Sequence, residues 1–161
     1  MKKMMLNKSL CAGCRYCEIV CSLVHSDKGE VNTKKARIKI ISDPKEGDDY
    51  PNICHQCPKP RCISVCEQKA ISVNAEIGNM VIDYVKCTGC LKCREACPFN
   101  AIQVDVETKL PLVCDLCGGD PNCIKHCRIL PHIGARALNY VEPSEWKPSP
   151  RSSIKVIGDL K

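Results

Sequence analysis

Sixteen cysteines constrain this chain of 161 residues more than any other feature, because they form four groups of four at short, regular spacings. Each group begins with C-x2-C and ends with C-x3-C. A chain with this many cysteines is built on either disulfides or metal sites. In chain order, groups one to four are Cys11, Cys14, Cys17 and Cys21; Cys54, Cys57, Cys62 and Cys66; Cys87, Cys90, Cys93 and Cys97; and Cys114, Cys117, Cys123 and Cys127.

The spacing within the groups is typical of iron-sulfur ligands. In two-cluster bacterial ferredoxins, three cysteines of a C-x2-C-x2-C-x3-C-P run bind one [4Fe-4S] cluster and the fourth binds the other. Group three reproduces this run, including Pro98, whereas group one has Ser22 at the proline position. Groups two and four lengthen the second gap to four and five residues. The pattern predicts four [4Fe-4S] clusters, with all sixteen cysteines as iron ligands.

Zinc and disulfides are the alternatives for the same cysteines. Structural zinc also uses C-x2-C pairs, so zinc could occupy all four groups or replace one cluster. A tetrahedral zinc site takes its ligands from two separated pairs, however, and each group here has a third and a fourth cysteine close by. Disulfides need an oxidising compartment, and the segment from Met1 to Lys8 lacks the apolar run of a secretory signal. We therefore favour clusters and predict a cytoplasmic protein.

The net charge of +6 does not indicate a nucleic-acid partner once clusters are counted. If each oxidised cluster with its four thiolates carries about −2, the loaded protein has a net charge of roughly −2. The sequence also contains no apolar run close to the length of about 20 residues that spans a bilayer. We expect neither nucleic-acid binding nor a membrane span.

Histidines and basic residues lie close to the cysteine groups. His55 and His126 are each adjacent to a cysteine, but every group already has four, so we expect both to lie around the clusters or in solvent. The basic residues are either solvated charges or groups that raise cluster reduction potentials. They are Arg15, Lys59, Arg61, Lys86, Lys92, Arg94, Lys125 and Arg128.

The segments between the cysteines predict an α+β fold of short elements. Alternating β-branched residues predict strands at 71–73, 80–82 and 102–106, and the C-x3-C segments have the length of one helical turn. Groups two and three form an internal repeat, since an Ala-Ile pair follows each at the same distance. An insert at 26–51 contains a predicted strand at 36–41, and we expect the insert to be surface structure.

After Tyr140 the composition changes to that of an extended tail, residues 141–161, which contains three prolines. Proline removes backbone donors and favours an extended chain. Trp146 could anchor the tail, and the β-prone segment 154–157 could add a strand to an exposed sheet edge. We expect the tail to dock on a neighbouring subunit rather than on its own domain, with disorder as the alternative.

The cysteine pattern resembles that of the four-cluster, ferredoxin-like iron-sulfur subunits of molybdenum and tungsten oxidoreductases, of dimethyl sulfoxide reductase type. The resemblance covers residues 9–140, and its opening motif looks most like the small subunits of tungsten aldehyde oxidoreductases and benzoyl-CoA reductases. Three motifs support it: CxGCRxCExxCSLxH from Cys11 to His25, CxQCxxPxCxxxC from Cys54 to Cys66, and DxxKCTGCxxCxxACPxxAI from Asp83 to Ile102.

The resemblance implies a duplicated bacterial-ferredoxin-like fold, with two 2[4Fe-4S] units in one domain at 1–140. The outer pair of clusters then comes from 9–25 and 112–130, and the inner pair from 52–106. The chain departs from the family pattern after the last cysteine of groups one, two and four, where no proline follows. The resemblance therefore predicts the ligands there but not the local backbone. The implied ligand sets are Cys11, Cys14, Cys17 and Cys127; Cys114, Cys117, Cys123 and Cys21; Cys54, Cys57, Cys62 and Cys97; and Cys87, Cys90, Cys93 and Cys66.

The sequence contains no phosphate loop, activated nucleophile, or flavin or nicotinamide fingerprint, so we expect no catalytic site. The resemblance implies an electron-transfer subunit whose catalytic partner carries a tungsten or molybdenum pterin. A further electron-transfer or flavin subunit and more copies of this chain are other expected partners. The alternatives are a free polyferredoxin carrier, a subunit of a hydrogenase or carbon monoxide dehydrogenase, and an interaction or sensor protein.

Overall fold

A computed structural model describes residues 2–44, 47–129, 134–145 and 155–156 of the chain. Within these residues every strand is short, with five residues at most. The strands are β1 (Lys3–Leu6), β2 (Lys39–Asp43), β3 (Asp48–Asn52), β4 (Ile71–Val73), β5 (Met80–Ile82), β6 (Gln103–Val104), β7 (Pro111–Leu112), β8 (Leu138–Val141) and β9 (Lys155–Val156).

Each cysteine group has one short α-helix, which begins one residue before the third cysteine of the group. This confirms the helices predicted at the C-x3-C segments. Helices this short are unstable in isolation, so tertiary contacts must hold them. They are α1 (Tyr16–Val24), α2 (Arg61–Ser64), α3 (Lys92–Glu95) and α4 (Asn122–Lys125), and 3₁₀ helices cover Lys8–Leu10, Thr33–Lys35, Leu116–Gly119 and Pro143–Glu145.

In the described part of the chain, the strands form one three-stranded sheet, ordered β8–β1–β9, and three two-stranded hairpins. β1 pairs antiparallel with β8, with Lys3 opposite Val141 and Leu6 opposite Leu138, so the two ends of the domain are joined. The hairpins pair β2 with β3, β4 with β5, and β6 with β7. A two-stranded hairpin is marginally stable on its own, so each hairpin depends on the segments packed against it.

The strands predicted at 71–73 and 80–82 are confirmed as β4 and β5. A turn joins them, and the N–H of Asn74 donates to the carbonyl oxygen of Asn79 at 2.9 Å. Both strands and their turn lie within a dozen residues, so the local pattern is sufficient to define them.

The strand predicted at 102–106 is wrong in extent, since β6 covers only Gln103–Val104. Oδ1 of Asp105 accepts hydrogen bonds from the backbone N–H groups of Glu107 and Thr108 at 2.8 and 3.1 Å. These bonds fold the chain into a turn, which is a common role of aspartate. The alternation of apolar residues continues to Val106, but β6 ends at Val104.

The strand predicted at 36–41 is also displaced, because β2 begins at Lys39. Its predicted first residues make other contacts: the backbone N–H of Arg37 donates to Sγ of Cys21 at 3.3 Å. The N–H of Arg37 is therefore committed to a sulfur atom of group one rather than to a neighbouring strand.

The expectation that the insert is surface structure is wrong for Ala36, Ile38 and Ile40, whereas Val31 and Ile41 are exposed. Ile38 is fully buried, and Ile40 is 7% exposed. The backbone N–H of Ile40 donates to Oε1 of Glu18 on α1 at 2.5 Å. The hairpin of β2 and β3 therefore covers α1 and the cysteines on it. From the sequence, the alternation of Ile38 and Ile40 looks like that of an ordinary half-exposed strand.

The predicted anchor of the tail, Trp146, lies outside the described residues, as do 147–154 and 157–161. Lys155 and Val156 form β9, which pairs antiparallel with β1 of the same chain. The predicted docking on a neighbouring subunit's sheet is therefore wrong for these two residues. A strand of the same chain meets the edge of β1 at a higher effective concentration than a strand of another molecule does.

The core of the described part combines aliphatic side chains with cysteines, and no aromatic side chain within it is fully buried. Met5, Ile38, Ile53, Met80 and Leu138 are among its largest buried side chains. Among the described residues, no helix has the length and apolarity needed to cross a bilayer.

Candidate iron-sulfur sites

The structure brings the sixteen cysteines together in four cavities, each lined by four cysteines. In every cavity, three cysteines come from one group and the fourth is the last cysteine of another group. These sets coincide with those implied by the resemblance. They are site 1, Cys11, Cys14, Cys17 and Cys127; site 2, Cys114, Cys117, Cys123 and Cys21; site 3, Cys54, Cys57, Cys62 and Cys97; and site 4, Cys87, Cys90, Cys93 and Cys66.

The loops of the four groups share a backbone conformation. The residue before the second cysteine has a positive φ in every group: 61° at Gly13, 47° at Gln56, 70° at Gly89 and 53° at Leu116. Glycine reaches this left-handed region without strain, whereas other residues adopt it at a cost of roughly 1–2 kcal/mol. Groups two and four keep the same turn without glycine, so the surrounding fold must maintain it.

The short helices determine which cavity each of the last two cysteines faces. The third cysteine is the second residue of its helix in all four groups, and the fourth follows about one turn later. The third cysteine lines the cavity of its own group, and the fourth lines another. Each C-x3-C segment therefore bridges two neighbouring sites.

Each site neighbours the next in the order 1, 2, 3, 4, and we call this series of neighbouring sites the row. Cys123 of site 2 is close enough to Cys17 and Cys127 of site 1 to interact with them electrostatically. Cys114 of site 2 interacts in the same way with Cys54 of site 3. Sites 3 and 4 are bridged by the C-x3-C segments of groups two and three. No site is isolated from the others.

The two ends of the row reach the surface. Cys14 of site 1 and Cys90 of site 4 are exposed, whereas Cys54 and Cys114 in the middle sites are buried. Each end of the row therefore presents one cysteine to solvent.

Burial raises the pKa of several of these thiols, to about 12 at Cys17 and Cys54 and about 11 at Cys62. Burial, together with neighbouring cysteines, also raises the pKa of Cys114 well above its usual range. Such thiols stay protonated at neutral pH unless a cation replaces the proton. Metal binding here is therefore expected to release protons.

Backbone N–H groups contact two of the bridging cysteines. The N–H of Arg37 lies 3.3 Å from Sγ of Cys21, and the N–H of Ala70 lies 3.3 Å from Sγ of Cys66. Both cysteines are the last of their groups. Donors at this distance stabilise negative charge on a metal-bound sulfur.

An ion pair beside site 2 was not predicted from the sequence. Nε2 of His25 lies 3.0 Å from Oδ2 of Asp115, and Nδ1 lies 2.8 Å from the carbonyl oxygen of Cys21. Burial opposes the charge on His25, but the hydrogen bonds to Asp115 and Cys21 raise its pKa to about 10. Burial likewise opposes the charge on Asp115, and the bond from His25 lowers its pKa to about 2. The charged pair ties group one to group four.

Two amide side chains hold groups two and four together. Nε2 of Gln56 donates to the carbonyl oxygen of Cys114 at 2.9 Å, and its Oε1 accepts from the N–H of Met80 at 3.0 Å. Nδ2 of the buried Asn79 donates to the carbonyl oxygen of Asp115 at 2.8 Å. These bonds fix the loop of site 3 against the loop of site 2.

The two histidines singled out in the sequence have different environments. His55 lines site 3 and stacks on Phe99, with 3.7 Å between ring centroids. Burial lowers the pKa of His55 to about 4, so its imidazole is neutral at neutral pH. His126 is exposed, and its Nδ1 lies 3.0 Å from the carbonyl oxygen of Asn122. Each cavity has its four cysteines without either of them.

Four of the basic residues beside the cysteine groups line a cavity. Arg15 and Arg128 line site 1, Arg61 lines site 3 and Lys92 lines site 4, so these four can influence a bound group. Lys92 and two other lysines also form ion pairs at the surface, where such pairs contribute little. These pairs are Lys86 with Asp83, Lys92 with Glu67, and Lys125 with Asp120.

The chain is similar to known proteins over most of its length. The 4Fe-4S dicluster domain family matches residues 46–132, more than half of the chain. The chain belongs to this 4Fe-4S dicluster family. The polyferredoxin-like subunit of aliphatic sulfonate oxidoreductase from Pyrococcus furiosus is 34% identical to it over 145 residues, which are 90% of this chain and 80% of the relative. The B subunit of polysulfide reductase from Wolinella succinogenes is 32% identical over 77% of this chain and 70% of the relative.

A solved structure is similar to this dicluster protein as well. It belongs to the active site complex BamBC of benzoyl-coenzyme A reductase, and matches with a TM-score of 0.51 and 25% identity over 88% of this chain and 79% of that chain. The fold is therefore ferredoxin-like. The family match and these relatives show that the chain is an iron-sulfur electron-transfer subunit of an oxidoreductase.

Proposed function

We propose that the chain holds four [4Fe-4S] clusters, one in each of sites 1 to 4, with the sixteen cysteines as iron ligands. The observation that carries this proposal is the meeting of four cysteines in each of four cavities, three from one loop and one from another. Four thiolates also suit zinc. The family match, however, is to a 4Fe-4S domain rather than to a zinc domain.

A bound [4Fe-4S] group supplies one-electron transfer chemistry. The cysteines would hold the irons, and the N–H groups of Arg37 and Ala70 would stabilise negative charge on the sulfurs that they contact. The buried walls of sites 2 and 3 limit access of water, while Cys14 and Cys90 bring the two ends of the row to the surface. Electrons would therefore enter at one end and leave at the other.

We further propose that the chain is a non-catalytic subunit that exchanges electrons with a tungsten or molybdenum pterin subunit, in a complex similar to the tungsten aldehyde oxidoreductases. The relatives support a role in such a complex, since they are subunits of a sulfonate oxidoreductase and a polysulfide reductase, and the similar structure is part of an active site complex. The opening motif from Cys11 to His25 supports the tungsten type. A second electron-transfer or flavin subunit would occupy the other end of the row.

The exchange of cysteines supports a duplicated ferredoxin fold within residues 1–140. Groups one and four exchange their last cysteines in sites 1 and 2, and groups two and three exchange theirs in sites 3 and 4. Each pair of sites thus has the ligand exchange of a two-cluster ferredoxin. Iron ligation requires reduced thiols, so the proposal includes a reducing compartment such as the cytoplasm.

Anaerobic purification of the complex from the cells that produce it tests this function. We expect a larger chain to co-elute, elemental analysis to find tungsten or molybdenum in it, and an aldehyde to bleach the visible absorption of the clusters. Elution of this chain alone with its clusters would contradict the subunit role and favour a polyferredoxin carrier. Nickel in the partner would indicate a hydrogenase or carbon monoxide dehydrogenase instead.

A further inference from the structure

Site 3 contains a buried polar atom that the protein leaves unsatisfied. Nδ1 of His55 is buried, and no hydrogen-bond partner for it exists among the described residues. Native proteins rarely leave such an atom without a partner, and each case calls for an explanation. His55 lines the cavity of site 3, so the group that fills this cavity is the natural partner.

Packing holds the ring of His55 in the wall of the cavity. The imidazole stacks on Phe99 with an angle of 20° between the ring planes, and both residues line site 3. The backbone on both sides is also fixed, since Cys54 is buried and Gln56 makes two hydrogen bonds. The ring cannot turn towards solvent without losing the stack.

At the position equivalent to His55, the other three groups have no buried donor, and His25, which lines site 2, has protein partners for both of its ring nitrogens. The residue after the first cysteine is Ala12 in group one, Thr88 in group three and Asp115 in group four. Alanine has no donor, Thr88 is exposed, and Asp115 accepts its hydrogen bonds as a carboxylate. Within site 3, Arg61 is the other lining residue with a polar side chain, and it is exposed. His55 is therefore the buried donor available to an anion in site 3.

We propose that the Nδ1–H group of His55 donates a hydrogen bond to a sulfur of the [4Fe-4S] cluster in site 3 and thereby raises the reduction potential of that cluster. This inference rests on the proposed function, because the acceptor is the cluster. The reduced cluster carries one more negative charge than the oxidised cluster, so a fixed donor stabilises the reduced form more strongly. One electron enters the cluster, and the proton stays on Nδ1.

An anaerobic redox titration followed by electron paramagnetic resonance tests this role. His55→Phe keeps the stack on Phe99 and removes the N–H group. At a fixed ambient potential, we expect the reduced-to-oxidised ratio of one cluster to fall about tenfold, which is about 59 mV for a one-electron couple, while the other three clusters keep their potentials. His55→Gln keeps an N–H donor and should recover part of the shift.

His126→Phe is the matched control, because it also replaces a histidine beside a cysteine but at an exposed position outside the cavities. It should leave all four potentials unchanged. Four clusters with unchanged potentials in His55→Phe would overturn the proposal, as would an equal shift of all four. If His55→Phe loses its clusters, His55→Met is titrated in its place with the same expectations.

Iron analysis separates this inference from the proposed function. A wild-type protein without [4Fe-4S] clusters contradicts the function itself. A wild-type protein with four clusters, together with a His55→Phe variant whose potentials are unshifted, contradicts only the role of His55.

Discussion

Replacing Cys127 with alanine should remove the cluster of site 1 and leave the cluster of site 2 in place. Cys127 belongs to group four by sequence, but its side chain lines the cavity of Cys11, Cys14 and Cys17. Anaerobically reconstituted protein should therefore lose about four of its irons, the content of one cluster. Iron and sulfide analysis of the purified variant measures this loss.

Double variants identify the loop that has lost its cluster. Cys14→Ala and Cys127→Ala remove ligands from the same site, so their combined iron loss should depart from the sum of the single losses. Cys117→Ala and Cys127→Ala remove ligands from different sites, so their losses should add. Cys14 is exposed and Cys117 is half-buried, so neither replacement opens a large cavity in the core. The opposite pattern would mean that the fourth cysteine serves its own group and that the exchange between groups is wrong.

Removing the iron under anaerobic conditions should abolish the cooperative unfolding transition of the protein. α1, with nine residues, is the longest helix described, and three of the four sheets have only two strands. Six of the eighteen residues in the described hydrophobic core are cysteines that line the sites. A domain is stable by only about 5–15 kcal/mol, and a structural metal site contributes about 10 kcal/mol or more. The free energy lost with four clusters therefore exceeds the free energy of unfolding of a typical domain, and we expect the apo-protein to be unfolded.

Far-ultraviolet circular dichroism and scanning calorimetry after chelator treatment measure this effect. Reconstitution with iron and sulfide is the control, since it restores the signal if cluster loss rather than chemical damage caused the change. An apo-protein that kept its circular dichroism and melted cooperatively would show that the aliphatic core, including Met5, Ile38 and Leu138, is sufficient for folding.

The sequence was sufficient where the structure depends on near neighbours. β4 and β5 follow from alternating residues on both sides of a short turn, and the helices follow from the C-x3-C spacing. The pattern of C-x2-C loops also identifies all the cysteines that line the four cavities. Spacing alone does not determine which group supplies the fourth cysteine, and that assignment came from the family resemblance.

The sequence was insufficient where a contact joins distant segments. β1 is a run of four residues whose partner β8 begins beyond residue 130, so neither strand is evident from its local pattern. The same applies to His25, whose partner Asp115 is 90 residues away. The burial of Ile38 in the insert also depends on α1, which precedes it in the chain. The first two contacts hold groups one and four together. None of the three can be recognised from a local sequence pattern.

Iron, acid-labile sulfide and zinc per chain, measured on one anaerobically purified sample, test the presence of four clusters most directly. A chain that holds four [4Fe-4S] clusters contains about sixteen irons and about sixteen sulfides, four of each per cluster, and little zinc. Half that amount of iron would mean that two of the four cavities hold no cluster. Zinc in place of iron, without sulfide, would contradict the iron-sulfur function altogether.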